Sequence, residues 1–200
     1  MDSGPGSGPG QALRRNDERK SRLLVDEYRT PRLGAEGHSV SERGADRSEL
    51  HLRHRAAQGT LSFLGRAQYL NGQLAPARDT LQKALAAHKS DHLARLYLGL
   101  TVARQGDQQS GLRDIQAGTK GIGDFLNYIA NSFSSTFGQY WDPNGDIRKA
   151  ASNNLALMAR PNVDWPTFFS SSEALALNFE QEPDRARRQE EQQIEMDRRR

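Results

Sequence analysis

Leu64-Gly65 recurs 34 residues later as Leu98-Gly99, and the same interval joins Gly72 to Gly106, Ala77 to Gly111, Leu81 to Ile115 and Ala84 to Gly118. An interval of this length constrains the fold more than any single residue, because it is the period of a helix-turn-helix unit. Such a unit cannot bury its apolar face alone and has to stack on a neighbour. Stacked hairpins point to a binding scaffold before they point to a catalyst.

The apolar spacing around this interval predicts four helices. Asp46 or Ser48 caps the first, whose core-facing set is Leu52, Ala56, Leu61, Leu64 and Gln68 and which stops at Asn71-Gly72. The second runs from Leu74 to His88 with Ala77, Leu81, Ala84 and Leu85 on one stripe, a spacing that suits a helix and no strand. Asp91 caps the third, which carries Leu93, Leu96, Tyr97, Leu98, Leu100 and Val102 as far as Gln105-Gly106. The fourth runs from Gln108 to Thr119 with Leu112, Ile115 and Gly118 inward, and the glycines at 118, 121 and 123 are expected to end it.

With Leu64-Gly65, Gly72, Ala77, Leu81, Ala84 and Leu85 in one copy and Leu98-Gly99, Gly106, Gly111, Ile115 and Gly118 in the other, residues 57–122 resemble the tetratricopeptide repeat family. These positions are the expected repeat-packing set, since small residues let antiparallel helices approach closely. The pattern departs from the family at Leu61 and Arg95, where the first aromatic belongs, at Gln68 and Val102, where the second belongs, and at Lys89 in place of the closing proline. The resemblance implies that the first helix of each hairpin lines a concave face on which a partner's peptide or helix lies. By register that face carries Ser62, Arg66, Tyr69, Leu93, Leu96, Leu100, Ala103 and Arg104. The alternative is that Leu93, Leu96 and Leu100 pack beneath the N-terminal segment or the C-terminal helices. Chaperone-binding members grip a terminal carboxylate with lysine and asparagine; Ser62, Arg66 and Tyr97 stand at the matching sites, so that clamp is absent here.

Two copies are fewer than the roughly three such an array needs, so other helices have to cover its outer face. Phe125, Ile129, Phe133 and Phe137 recur every four residues and predict an aromatic ridge on one helix. Asp142 to Asp146 read as turn plus cap, followed by a stripe of Ile147, Ala151, Leu155 and Met158. Asp164 caps a last helix with Pro166 in its first turn and Phe168, Leu175 and Phe179 inward. The organisation is therefore a low-complexity or disordered tail over 1–47, two repeats over 48–122, a helical cap over 123–180 and a charged helix or tail over 181–200. Within the first segment only Leu23, Leu24, Val25 and Tyr28 cluster apolar residues, as a short turn that docks or an incidental run.

Composition narrows the function classes. A mean hydropathy of -0.83 with 35% hydrophobic residues is low for a fully packed chain of 200 residues. The net charge is only +3, and seven acidic residues are interleaved with the arginines at 185, 187, 188 and 198–200 with no aromatic to stack on a base, so nucleic acid is not implied. There is no cysteine, which removes disulfides and thiolate chemistry. No apolar run reaches membrane-spanning length, and MDSGPGSGPG has no signal-peptide pattern. The sequence as written reads as cytoplasmic, and as a cell-envelope protein if the true start lies upstream with a signal or lipid anchor, so the compartment stays open.

His88 and His92 are four apart but lack the glutamate of a zinc protease helix, and His51 with His54 lack a third ligand. Asp142, Asn144 and Asp146 begin like a calcium loop, but Ile147 and Asn153 occupy the required glycine and glutamate positions. Gly118 to Gly123 follow a helix in the wrong order for a phosphate loop, and Ser170 to Ser172 have no histidine after His92 to act as base. The expectation is an all-α, non-catalytic interaction or assembly adaptor, without cofactor or metal, that holds a protein or peptide partner in the concave face. The alternative is a structural, self-associating helical protein that forms a homo-oligomer through its aromatic C-terminal helices and fills its own groove.

Overall fold

The computed structural model describes residues 59–200. The expectations for the tail, the Leu23–Tyr28 cluster, His51, His54 and the helix start with Leu52 and Ala56 lie outside the described residues. Among the described residues the fold is all-α and without strands: α1 (Thr60–Leu70), α2 (Leu74–Ala87), α3 (His92–Arg104), α4 (Gln108–Ser132), a 3-10 turn (Phe137–Tyr140), α5 (Asp146–Met158) and α6 (Trp165–Arg198).

The two hairpins, α1-α2 and α3-α4, repeat each other in their contacts as well as their sequence. A Cβ placed on Gly65 would fall 2.6 Å from Leu81 Cγ, and one placed on Gly99 would fall 2.5 Å from the Ile115 backbone nitrogen. Leu81 and Ile115 are themselves related by the same interval. Each turn needs a left-handed residue, supplied by Gly72 at φ +72° and Gly106 at φ +104°. Asp91 and Asp107 cap α3 and α4 by accepting from the amides of Ala94 and Ser110 at 2.8 and 3.0 Å.

Two expectations are corrected. Among the described residues α1 runs from Thr60 after an extended Gly59, and its buried stripe is Ser62, Gly65 and Tyr69. Leu61 and Leu64 are exposed, so Leu64 does not pack within the hairpin. The reason is geometric: the small residue has to face Leu81, and its neighbour in sequence then points about 100° away. The fourth helix does not end at its glycines but continues to Ser132. Gly118 sits where a Cβ would be 2.7 Å from the Leu96 backbone nitrogen, and a Cβ on Gly121 would collide with the His92 ring. These glycines therefore admit α3 at close range, at a propensity cost of about 1 kcal/mol each. The last helix runs without a break through Pro183, so the charged end from 181 onward is its continuation. Proline deprives that turn of the bond to the carbonyl of Phe179, while Glu182 and Arg185 on either side of it are anchored to Asp142 and Tyr140.

The core joins the hairpins to the C-terminal helices. Phe125 meets Trp141 and Phe179 edge-on, with ring centroids 5.7 and 5.9 Å apart. The expected aromatic ridge is split: Phe125 and Ile129 lie buried on α4, whereas Phe133 caps its end and stacks on Phe137 of the 3-10 turn at 4.7 Å. Ile147 and Ala151 of α5 and Phe168, Leu175 and Phe179 of α6 face inward, as the periodicity predicts.

Candidate functional site

The expected concave face is built from α1 and α3, and α6 lies against it. Ser62 donates to Asp91 Oδ2 at 2.5 Å, tying α1 to the start of α3. Burial pushes the Asp91 carboxyl above the usual carboxylate range, against the opposing pull of the Ala94 amide and the Ser62 hydroxyl. Two turns along α1, the Tyr69 hydroxyl donates to Glu173 Oε1 of α6 at 2.5 Å, and Arg104 at the end of α3 donates to the same oxygen at 2.6 Å. The Arg104 guanidinium also lies over the rings of Tyr69, at 4.8 Å, and Phe169, at 5.1 Å. Arg66 pairs with Glu180.

Glu173 and Glu180 are seven residues apart and so lie on one side of α6. Burial, and then the Glu173 carboxylate, push the Tyr69 phenol far above its ordinary value. Burial raises the Glu180 carboxyl too, and Arg66 draws it back. Of the eight residues expected on this face, Arg66, Tyr69 and Arg104 reach α6, Ser62 reaches Asp91, and Leu93, Leu96, Leu100 and Ala103 are buried. Sequence reasoning missed Glu173 and Glu180. Their signal was available as two acids at heptad spacing beside the apolar positions Phe168, Leu175, Ala176 and Phe179 of the same helix.

A second anchor holds α6 lower down. Asp142, at φ +42°, turns its carboxylate onto the start of α5, accepting from the amides of Ile147 at 2.9 Å and Arg148 at 3.1 Å and from Arg148 Nε at 2.9 Å. Its own amide donates to Glu182. Glu182 in turn accepts from Arg185, whose Nη2 also donates to the Tyr140 carbonyl at 2.7 Å. Two buried carboxylates and two guanidinium groups thus close a neutral network around the Asp142–Asp146 turn. Of the residues that resembled the opening of a calcium loop, Asp142 accepts from the first amides of α5, and Asp146 is that helix's first residue, beside Lys149.

Other sequence candidates have local roles. The hydroxyls of Ser170 and Ser171 donate to the carbonyls of Pro166 and Phe168, both at 3.1 Å, and Ser172 is buried. His92 is pressed against Gly121, and burial, followed by Arg95, pushes its pKa down to about 4. His88 is exposed. Among the described residues no group of three or more histidine and carboxylate side chains is placed to hold a metal, and no helix is long and apolar enough to cross a membrane.

The outer side of α1 is the remaining notable surface. Leu61, Phe63, Leu64 and Leu70 are 38, 45, 48 and 57% exposed, all within one eleven-residue helix. The only charged residue of α1, Arg66, is turned toward Glu180. Phe63 and Leu177 line a cleft of about 550 Å³ between α1 and α6. Comparison with family models, with curated proteins and with solved structures finds no match to this chain.

Proposed function

We propose that this chain is a non-catalytic protein-interaction or assembly module, made of two tetratricopeptide-like hairpins. Its own α6 lies in the concave face, and the outer face of α1 is presented to a partner. The observation that carries the reading is the concentration of four exposed, large apolar side chains on one short helix with no charge on that side. Exposed apolar patches of this kind mark interaction surfaces.

A partner segment entering by Arg66, Tyr69, Leu100 and Arg104 would have to displace Glu173 and Glu180 from α6. Lifting α6 would also expose Phe168, Leu175 and Phe179, each worth about 1.5–3 kcal/mol of burial. That sum is comparable to the whole stability of a domain, so an outward-facing surface is the better site. The C-terminal aromatics do not offer one at Phe125, Trp141, Phe168 and Phe179, which are all buried.

A photo-crosslinking residue placed at Phe63 in the native cell tests the reading. A protein adduct is expected from Phe63 and not from Lys83 on the exposed side of α2; no adduct, or equal adducts from both positions, would contradict it.

A further inference from the structure

We propose that the cleft between α4 and α5 is a binding site for a small molecule that carries an oxyanion, a phosphate or a carboxylate. The site is separate from the α1 face and does not depend on what that face meets.

Two positions on the cleft side of α4 break local rules for reasons that packing does not supply. Gly111, Gly118 and Gly121 keep a Cβ away from α3: at the first two it would fall 2.6 and 2.7 Å from α3 atoms, and at the third it would strike the His92 ring. Gly123 has no such reason, because a Cβ there would meet only Ala151 Cβ, at 3.8 Å, which is ordinary contact. Alanine would fit and would favour the helix. One turn earlier Thr119 is fully buried, and its hydroxyl has no hydrogen-bond partner, an arrangement that folded proteins avoid. Thr119 and Gly123 are four residues apart on one side of the helix, and both line the cleft. Local rules broken together at one place, without a packing reason, mark a functional site.

Size and charge define what the cleft takes. Its volume is about 710 Å³, within the range of small-molecule sites. Three cations line it, Lys120, Arg148 and Lys149, against the single carboxylate of Asp124. Arg148 is held by the buried Asp142. Lys120 pairs with Asp124, and Lys149 with Asp146 at 3.5 Å, but all four side chains are largely exposed, so these pairs contribute little and open readily to a ligand. An oxyanion held by an ammonium group from each helix, with the Thr119 hydroxyl as a further donor at the floor, uses every feature that packing leaves unexplained. Gly123 leaves room for it, and Asn127 and Ser152 of the lining suit the polar remainder of such a molecule.

Amide NMR of the full chain, titrated with inorganic phosphate and with citrate at constant ionic strength, tests this. Expected are saturable shifts centred on Thr119, Gly123 and Lys149 that chloride does not produce; the anion that binds more tightly identifies the group the site prefers. Lys120→Gln combined with Lys149→Gln should weaken binding roughly tenfold or more, and, both lysines being exposed, should leave the thermal midpoint at the parent's value. Gly123→Ala and Thr119→Val should each raise the midpoint of the ligand-free chain and weaken binding. A midpoint lowered by either substitution would give that position a structural reason and overturn the site. Absence of saturable shifts with both anions, or shifts that persist unchanged in the double glutamine variant, would overturn it as well.

Discussion

Tyr69 of α1 and Arg104 of α3 donate to one and the same oxygen, Glu173 Oε1 of α6, at 2.5 and 2.6 Å. Together with Arg66 and Glu180 they join the ends of the described fold, and three of the residues expected to receive a partner receive the chain's own helix. Charge reversal there acts on stability first. Arg66→Glu combined with Arg104→Glu sets like charges against Glu180 and Glu173 and should lower the unfolding free energy by about 1–3 kcal/mol. Arg104 is more than a third exposed, so most of the loss belongs to Arg66. Chemical denaturation at neutral pH measures it, and an unchanged midpoint would contradict the ion-paired groove.

The repeat glycines separate by what surrounds them. A Cβ on Gly65 meets the Leu81 side chain first, Cγ at 2.6 Å and Cδ2 at 2.8 Å, with the Leu81 backbone nitrogen at 3.3 Å, whereas one on Gly99 meets backbone, the nitrogen of Ile115 and the carbonyl oxygen of Gly111 at 2.5 and 2.7 Å. Side chains can turn aside; two helix backbones have to move apart. Gly99→Ala should therefore cost about 1–3 kcal/mol despite a better helix propensity, and Gly65→Ala distinctly less. Thermal melts of the two variants side by side check the order.

This contrast also explains how much was legible in the sequence. The hairpins were, because small residues at a fixed interval are a local pattern, and so were the turn at Gly106 and the cap at Asp91. The length of α4 was not, since glycine weakens an isolated helix and only the approach of His92 and Leu96 gives Gly118 and Gly121 a reason to sit inside one. Leu64 was misplaced for a related reason: a leucine beside a glycine looks like the core residue until the partner helix is seen to need the glycine. The register located Arg66, Tyr69 and Arg104 on a shared face, but it could not say that acids more than a hundred residues from Arg66 and Tyr69 would meet them.

Glu182 is the acceptor on which the Asp142 turn depends. Glu182→Ala leaves the Asp142 amide and the Arg185 guanidinium without their shared carboxylate. A loss of about 3 kcal/mol is expected, the lower end for a broken buried pair because Arg185 is partly exposed. Urea denaturation measures it, and a variant as stable as the parent would show that the network does not anchor α6.

His92 gives the fold a definite acid sensitivity. Its folded pKa of about 4 lies below the ordinary histidine value of 6.5, so between these values the unfolded chain binds the extra proton and stability rises with pH. The contribution is intact at neutral pH and is lost as pH falls from about 6.5 toward 4. Asp91 and Glu180, whose carboxyls are raised, act in the opposite sense, being most stabilising when protonated. His92→Asn isolates the histidine. The stability gap between parent and variant should shift in the variant's favour by about 2–3 kcal/mol from pH 7 to pH 4, and a gap independent of pH would remove His92 from the account.

Native-state amide hydrogen exchange tests most directly whether α6 is a fixed part of the concave face. If α6 is core, amides from Phe168 to Ala186 should exchange only with the opening free energy of the α3 amides, in one cooperative unit. Exchange of α6 well ahead of α3 would mean that the helix leaves the groove while the hairpins stay folded, and would contradict a concave face that is permanently filled.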